Sequence, residues 1–588
     1  MMWGEPAFRA SSHSVYWPSM ALTLFALLAV TLAGCSYTTG PATPTQAPDT
    51  QQILHDALIT GVAGKTDLAT YDPAFAQDQA SLEVISLTFP GLVTLDSHLA
   101  PQNWAAESVD VSADGLTYTF HIRRDLKFSD GEPIDATAFA FAFNRILNPC
   151  LHSPLAFYLF PIKNAAAYNA ELCANPQQDQ VDGAIKTLVG VGQPLNPQDP
   201  QTLIITLAQP ASYFITSLTY PALVAVPAKL IQQYGDGAWT SHLTDQGGFG
   251  GSLFLFSTID HKGHITLIRN ASFWGGRPKL REIDYTIYSD AASEYQAYLA
   301  GKNDVGYPPA SQYAAAKQAT GFQEGLALEL RYIGVNWNDA PFNDQGFRQA
   351  FALAIDKQTL AQTVYQGAAI ATNHIIPQGL AAYNSALKAP DGTQTLTGDT
   401  TKARQLATTF AAANCGGSFN GCPTITISVP NDSPTAQAAA NAISSTWLAV
   451  APGYPISVRA ADPTTLLQAE ANQQVQCFYG SWLADYPSAQ DWTSQQFGAD
   501  ALYNAGAVSI GDANTLMANA DAEADPTQQM RDYQAAEQLL VTQVAWIPLA
   551  QMRLVWRVRA WTQGFALDAM GTPAIYDVVP NIVLTAHS

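Results

Sequence analysis

The sequence predicts an α/β fold, because strand-like and helix-like segments follow one another along the chain without an internal repeat. Residues 116–123 (LTYTFHIR) alternate apolar and polar side chains and predict a half-buried strand. Asp135 is placed to cap a helix with an apolar stripe at helical spacing, and Pro149 ends it. A similar helix is predicted after Asp344. The aromatic residues of both stripes are expected in the core.

Length and composition favour a folded chain of several domains. At 588 residues the chain is long enough for about two to four domains, and 47% hydrophobic residues argue against disorder. The net charge of −21 repels phosphate backbones, so nucleic acid is excluded as a partner. No later apolar run is long enough to span a bilayer.

The N-terminal segment has the layout of a secretory signal. Residues 20–32 are apolar and uncharged, although Arg9 is the only positive charge before them. The segment ends in Leu32-Ala-Gly-Cys35, which resembles the lipobox of bacterial lipoproteins, where the cysteine becomes the lipidated N-terminus. We therefore predict a signal peptide over 1–34 and a lipid anchor on Cys35. An ordinary signal peptide with a chance cysteine, or a buried apolar helix, is the alternative.

The segment after Cys35 is rich in Pro, Gly and Thr and has no hydrophobic periodicity. Such composition is typical of a flexible linker. Together with the lipidated cysteine, residues 35–51 are predicted to tether the folded body to the membrane surface.

Four cysteines are candidates for disulfides, as expected outside the cytoplasm. Cys415 and Cys422 flank a short Gly-rich loop that suits a local bridge, and Cys150 and Cys173 could likewise join the ends of their segment. Four cysteines allow three connectivities, so the pairing stays open at this level.

No pattern in the chain indicates a metal site, a cofactor or a catalytic apparatus. Cys477 lies in an apolar, strand-like run and is predicted to be a buried free thiol. The cysteines lack zinc-site spacing, and His261 and His264 fit the tip of a hairpin better than a metal site. We predict no catalytic residue, no metal and no cofactor.

Several sequence blocks occur in a fixed order over most of the chain. They are Tyr71-Asp72-Pro73, Phe89-Pro90-Gly91-Leu92, Lys127-Phe-Ser-Asp-Gly131, Phe273-Trp-Gly-Gly-Arg-Pro-Lys-Leu280, Pro341-Phe-Asn-Asp344, Ala354-Ile-Asp-Lys357, Trp482-Leu-Ala-Asp-Tyr-Pro487 and Ile547-Pro-Leu549. In this order and spacing they resemble the family 5 extracellular solute-binding proteins of ABC importers, the group that contains oligopeptide-, dipeptide- and nickel-binding proteins.

The resemblance implies a fold of the periplasmic-binding-protein type II kind, a clam of two lobes with an inserted third domain. Lobe I would combine residues 52–95, 210–308 and 540–588, the inserted domain would cover 96–209, and lobe II would cover 309–539. It also implies a monomer outside the cytoplasmic membrane, at the cell surface or in the periplasm. Such a protein is not an enzyme, and it delivers a bound solute to an ABC permease.

The resemblance also points to ligand-binding residues. Asp485 matches the acid that pairs with the ligand's α-ammonium in peptide-binding members, an attraction of roughly 4 kcal/mol at ~4 Å and an effective dielectric of ~20, before desolvation. Trp482 and Tyr486 are expected to line side-chain pockets, and Gly91 and Leu92 to offer backbone groups to an extended peptide. Alternatively, Asp485 only shapes the turn before the next proline.

Two departures from the family pattern leave the cargo open. Pro90 replaces a common acidic residue, and Ser488-Ala489 replaces a common Asp-Pro pair. We expect a lipoprotein that captures peptides or another small solute for an ABC permease. An extracellular hydrolase and a sensory binding protein without transport are the alternatives.

Overall fold

The computed structural model describes residues 45–62, 64–171, 173, 200–499, 501 and 503–586. The predicted signal peptide 1–34 and the predicted lipidation site Cys35 therefore lie outside the described residues. No helix within the described ranges is both long and apolar enough to cross a membrane.

The strands of the described residues are numbered here in chain order. They are β1 Ile53–Ile59, β2 Val93–Leu95, β3 Pro101–Asn103, β4 Ala106–Val111, β5 Thr117–Ile122, β6 Thr202–Thr206, β7 Phe254–Ile259, β8 His264–Arg269, β9 Glu282–Tyr288, β10 Val305–Gly306, β11 Phe322–Val335, β12 Ala369–Ala371, β13 Ile425–Pro430, β14 Ile456–Ala461, β15 Cys477–Leu483, β16 Trp546–Val558, β17 Thr562–Gln563 and β18 Val583–Leu584.

The α-helices are numbered in the same way. They are α1 Gln79–Thr88, α2 Ala136–Leu147, α3 Ala165–Asn169, α4 Phe214–Ser217, α5 Ala228–Tyr234, α6 Ala291–Leu299, α7 Tyr313–Ala316, α8 Gln345–Leu353, α9 Lys357–Thr363, α10 Thr400–Asn414, α11 Pro434–Val450, α12 Pro463–Ala471, α13 Ala489–Trp492, α14 Ser494–Phe497, α15 Gly511–Ala522 and α16 Pro526–Gln543.

Lobe I is built on the four-stranded sheet β1-β9-β8-β7. Strands β1 and β9 run parallel, with Ile53 opposite Glu282, and the other pairs are antiparallel. Strands β7 and β8 form a hairpin whose connection contains His261, as the sequence predicts for that segment.

The predicted insertion contains the antiparallel sheet β4-β5-β6 and helix α2. In β5, Tyr118 and Phe120 are buried, and the polar residues between them are only partly so, which confirms the predicted strand. The Asp135 side chain accepts a hydrogen bond of 2.8 Å from the Thr137 backbone N–H, so the predicted helix cap is also present. Lobe I and this segment share one continuous hydrophobic core.

Lobe II is built on a seven-stranded mixed sheet in the order β10-β16-β11-β15-β13-β14, with β12 also paired to β16. Strands β13 and β14 are parallel and are joined through α11, which packs on them with its apolar face. Helix α8 begins where the sequence predicts, with Asp344 accepting a 2.7 Å hydrogen bond from the Phe347 N–H. Two hydrophobic clusters cover the two faces of this sheet.

Strands β11 and β16 cross from one lobe to the other. Their pairing shifts register between Leu326 and Leu330, and Trp556 and Val558 at one end belong to the core of lobe I. Leu549, nearer the start of β16, lies in the core of lobe II. Buried residues of the segment 540–550 thus pack in the two clusters of the seven-stranded sheet.

The predicted tether is shorter than the sequence suggests. Gln46 pairs with Thr585, and the Ala47 N–H donates to the Leu584 carbonyl at 2.9 Å. The buried amide of Gln52 donates to the carbonyls of both Ala47 and Leu584, at 2.9 and 2.8 Å. The segment 45–51 is thus fixed to the C-terminal strand β18.

Two disulfides join the pairs that the sequence favours, Cys150–Cys173 and Cys415–Cys422. Among the described cysteines, Cys477 is free and buried, in agreement with the prediction for it. It begins strand β15, which leads directly into the loop that carries Asp485.

Candidate functional site

Asp485 lies between the two lobes, in the loop that follows strand β15. Its side chain lines a cavity of about 70 Å³ whose other walls come from lobe I and from the C-terminal segment. Gly91, Tyr220 and Val224 form the lobe I side, and Met570 contributes from the C-terminal segment. The position predicted from sequence is thus a position in the interlobe cleft.

A second carboxylate, Asp491, stands directly beside Asp485. Its Oδ2 accepts hydrogen bonds from the Trp482 Nε1–H at 3.0 Å and from the backbone N–H of Asp485 at 3.2 Å. The Gln495 side-chain amide bridges the two acids, donating to the Asp485 Oδ2 and the Asp491 Oδ1, each at 3.2 Å. The loop and the short helix α13 therefore hold two acidic groups together.

Burial controls the protonation of this pair. Desolvation raises the pKa of Asp485 to about 6, and hydrogen bonds from Tyr158 and Gln495 offset part of the rise. Desolvation also raises the pKa of Asp491 well above its ordinary value, and the neighbouring charge of Asp485 adds to that effect. Among the described residues, no Lys or Arg side chain contributes to either pKa.

Aromatic side chains join the lobes around the acidic pair. Tyr158 stacks on Tyr220 at a ring distance of 4.4 Å and meets Tyr486 of lobe II edge to face at 6.3 Å. Phe157 meets Tyr503 of lobe II at 5.7 Å. The two lobes are therefore in contact at this point.

The aromatic residues predicted around Asp485 have different roles. Trp482 is partly buried against Tyr503, and its indole N–H donates to Asp491. It therefore positions this acid. It lines neither the cavity at Asp485 nor the neighbouring cavity that Tyr486 lines. Tyr486 is 2% exposed and lines a neighbouring cavity, with its hydroxyl donating to the Gln495 Oε1 at 2.8 Å. Of the two predicted aromatic residues, Tyr486 lines a pocket and Trp482 does not.

The two backbone candidates also differ. Gly91 lines the same cavity as Asp485. A Cβ at this position would lie 2.8 Å from the Val93 carbonyl oxygen, so a residue with a side chain would clash there. Leu92 is fully buried, and its carbonyl accepts from the backbone N–H groups of Trp104 and Ala106. In this conformation Leu92 holds the lobe together and does not reach the cavity.

Sequence reasoning missed Asp491, Gln495 and Tyr158. The first two lie within ten residues of Asp485, and a polar or acidic residue so close to a predicted anchor was an available signal. Tyr158 is distant in sequence and only folding brings it there. Within the described residues, no group of three His, Cys, Asp or Glu side chains is placed to hold a metal ion.

Comparison with known families gives a clear match. The model for bacterial extracellular solute-binding proteins, family 5, middle region, matches residues 100–504. The chain belongs to this family. Its members are solute-binding proteins of ABC transport and act outside the cytoplasm without catalysing a reaction, so this function and the absence of enzymatic activity hold for this chain.

Curated relatives in the family are named for different solutes. The chain is 26% identical over 532 residues to the probable deoxycholate-binding periplasmic protein YgiS of Escherichia coli K12, covering 89% of this chain and 92% of that protein. It is 27% identical over 516 residues to the glutathione-binding protein GsiB of the same strain, covering 84% and 89%. It is also 27% identical over 310 residues to the oligopeptide-binding protein OppA of Bacillus subtilis, covering 52% and 53%.

Solved structures share the fold. The murein tripeptide binding protein MppA of Escherichia coli superposes with a TM-score of 0.72 at 21% identity, covering 91% of this chain and 99% of that one. OppA of Haemophilus influenzae, solved with the peptide RPPGFSPFR, gives 0.71 at 21% identity, covering 92% and 100%. These matches confirm the predicted α/β solute-binding fold.

Proposed function

We propose that this family 5 member captures peptides, or other solutes with a free α-amino group, and delivers them to an ABC permease. The observation that carries the proposal is the pair Asp485–Asp491. Two carboxylates are held together in the cleft by neutral donors, namely Gln495, Trp482 and Tyr158. A ligand ammonium would supply the positive charge that this pair lacks.

The energetics favour such a ligand. A buried carboxylate without a cation is costly, and an ammonium group at hydrogen-bond distance restores its ionised form. The low local dielectric of the closed cleft strengthens the attraction compared with water. Binding and closure would then depend on each other, because closure creates the environment in which the ion pair is strong.

The solutes named for the relatives differ in how well they would fit the proposed amino-binding site. Glutathione and oligopeptides carry an α-amino group, whereas deoxycholate carries a carboxylate and no amine. A third carboxylate beside Asp485 and Asp491 would meet like charges in a poorly solvated site. The acidic pair therefore favours amino-bearing solutes for this chain.

Asp485→Asn tests the anchor. We expect at least about a 30-fold loss of affinity for peptides with a free N-terminus, because the substitution removes the charge that pairs with the ammonium. N-acetylated versions of the same peptides should bind the wild type weakly and should lose less than about threefold in the variant. Isothermal titration calorimetry with both peptide sets measures this difference.

Asp432→Asn is the matched control, since it removes one negative charge from an exposed turn of lobe II. It should leave both affinities unchanged. Equal losses for free and acetylated peptides in Asp485→Asn would exclude the anchor role, and failure of the wild type to bind any peptide would exclude peptides as its solutes.

We propose further that the protein is held at the membrane by lipid on Cys35. The support is the segment Leu32-Ala-Gly-Cys35, which directly follows an apolar run. Cys35→Ser should move the protein from the membrane fraction to the soluble fraction in cells that process lipoproteins, as an immunoblot of the two fractions would show. An unchanged distribution would contradict the anchor.

A further inference from the structure

A second and larger cavity lies on the other side of Tyr158 and Tyr486. Its volume is about 410 Å³, and both lobes contribute to its walls. Phe157, Phe160 and Tyr213 form an aromatic wall on one side, and Asp521 of helix α15 lies on the other. The cavity therefore combines aromatic surface with a carboxylate.

Asp521 is held in place by neutral groups. Its Oδ1 accepts hydrogen bonds from the Tyr533 hydroxyl at 2.7 Å and from the Ser494 hydroxyl at 2.8 Å. Its backbone carbonyl accepts from the Ser212 N–H of the opposite lobe at 2.8 Å. Burial raises the pKa of Asp521 to about 6, and no Lys or Arg of the described residues opposes that shift.

The larger cavity adjoins the anchor site. Gln495 and Tyr486 both line it, and Gln495 also donates to Asp485. Tyr486 follows Asp485 directly in the chain and lines the second cavity together with Asp521. The anchor acid and the second cavity are therefore neighbours, joined through Gln495.

We propose that this cavity is a subsite for a second positive charge of the ligand, so that the preferred solutes are peptides with a Lys or Arg side chain as well as a free N-terminus. The inference rests on the proposed peptide-binding function. It goes beyond that function by naming the charge of the cargo and the residue, Asp521, that selects it.

The walls of the cavity suit a long cationic side chain in two ways. The methylene stem of Lys or Arg packs against aromatic rings such as Phe157, Phe160 and Tyr213. A cation within about 6 Å of an aromatic face is also attracted to the ring electrons. Asp521 then supplies the counter-charge, while an acidic ligand side chain would meet a buried like charge.

A pair of peptides that differ at one position tests the subsite. One series carries Lys at successive positions, and the other carries norleucine, which keeps the stem and removes the charge. At the position that reaches the cavity, we expect the wild type to prefer Lys by at least about tenfold in calorimetry. Asp521→Asn should reduce that preference to about twofold or less, because it removes the charge and keeps an oxygen that Tyr533 and Ser494 can reach.

The control is Asp512→Asn, which removes one charge from the exposed start of the same helix α15 and should keep the full preference for Lys. Equal affinity of the wild type for Lys and norleucine peptides at every position would overturn the subsite while leaving peptide binding in place. A preference that survives in Asp521→Asn would overturn the role of Asp521. Absence of binding to either series would overturn the proposed function itself and this inference with it.

Discussion

Two buried groups of acids in this protein differ in what compensates their charge. In the core of lobe I, Asp72 and Asp236 surround the guanidinium of Arg145, which is itself 4% exposed. In the cleft, Asp485 and Asp491 are held by amide, indole and hydroxyl groups. The first group is complete within the protein, whereas no Lys or Arg of the described part of the chain compensates the second.

The lobe I group is satisfied in detail. Arg145 donates from Nη1 and Nη2 to the two oxygens of Asp72, at 2.8 and 2.6 Å, and from Nε to Asp236 at 2.5 Å. Trp239 and the backbone of Ala74 add donors to Asp72, each at 3.0 Å. Such a network fixes α2 against the turn at Asp72, and it has no capacity left for a ligand.

The comparison separates structural acids from binding acids on a physical basis. A buried carboxylate that is paired with a Lys or Arg of the protein stabilises one packing arrangement, because breaking the pair leaves a buried charge without a partner. A buried carboxylate that has only neutral donors keeps a raised pKa and favours any cation that enters. On this criterion the cleft acids, including Asp521, are the residues that we propose bind the ligand.

The largest expected effect comes from breaking the complete group. Arg145→Met leaves Asp72 and Asp236 buried without a cation and should lower the free energy of unfolding by about 3–5 kcal/mol. Urea denaturation followed by tryptophan fluorescence measures the change. The exposed residue Arg124 offers a matched control, since Arg124→Met should change the free energy by less than about 0.5 kcal/mol.

The double variant Arg145→Met, Asp72→Asn should recover part of the loss, because it also removes one stranded charge. If Arg145→Met were as stable as Arg124→Met, the lobe I acids would not depend on Arg145, and the contrast with the cleft would be lost.

A smaller effect of opposite sign is expected in the cleft. Without ligand, Asp485→Asn should be more stable than the wild type by about 3 kcal/mol at pH 7.5. The folded-state pKa of Asp485, about 6, lies above its ordinary value of 3.8, so the folded protein binds this proton more tightly than the unfolded chain does. The wild type therefore loses stability as the pH rises from about 4 to 6.

Asparagine does not titrate, so the difference between the two proteins should vanish near pH 4. Thermal or urea unfolding of the ligand-free proteins at several pH values measures it. A variant that is less stable than the wild type at pH 7.5, or a difference independent of pH, would show that the charge of Asp485 is already compensated without a ligand.

Much of the fold could be predicted from local sequence. The strand at 116–123, the helices after Asp135 and Asp344, and the hairpin at His261 depend on periodicity, capping and turn residues, which act over a few positions. The position of Asp485 in the cleft followed from the resemblance of Trp482–Pro487 to the family. Its actual partners are consistent with an anchor, but they were not foreseen.

The structure differs from the sequence-based expectations where contacts between distant segments determine the local structure. The segment 35–51 has the composition of a linker, so the sequence predicts a flexible tether there. In the structure, the Gln52 side chain donates to the carbonyls of Ala47 and Leu584, which is 532 residues away in the chain. Strand β16 contributes to two cores, which its local sequence does not reveal. Leu92 was expected at the ligand, but its carbonyl is occupied by Trp104 and Ala106.

The sequence by itself determined the family, the α/β class and the two favoured cysteine pairs, and it pointed to the acid that we propose as the anchor, because these depend on short patterns and their order. Only the tertiary structure decided which acids have a cation. Asp72 and Arg145 are 73 residues apart, and Asp485 and Tyr158 are brought together only by the folding of distant segments. Burial and charge compensation are properties of the packed molecule, so the division between structural and binding acids appears only there.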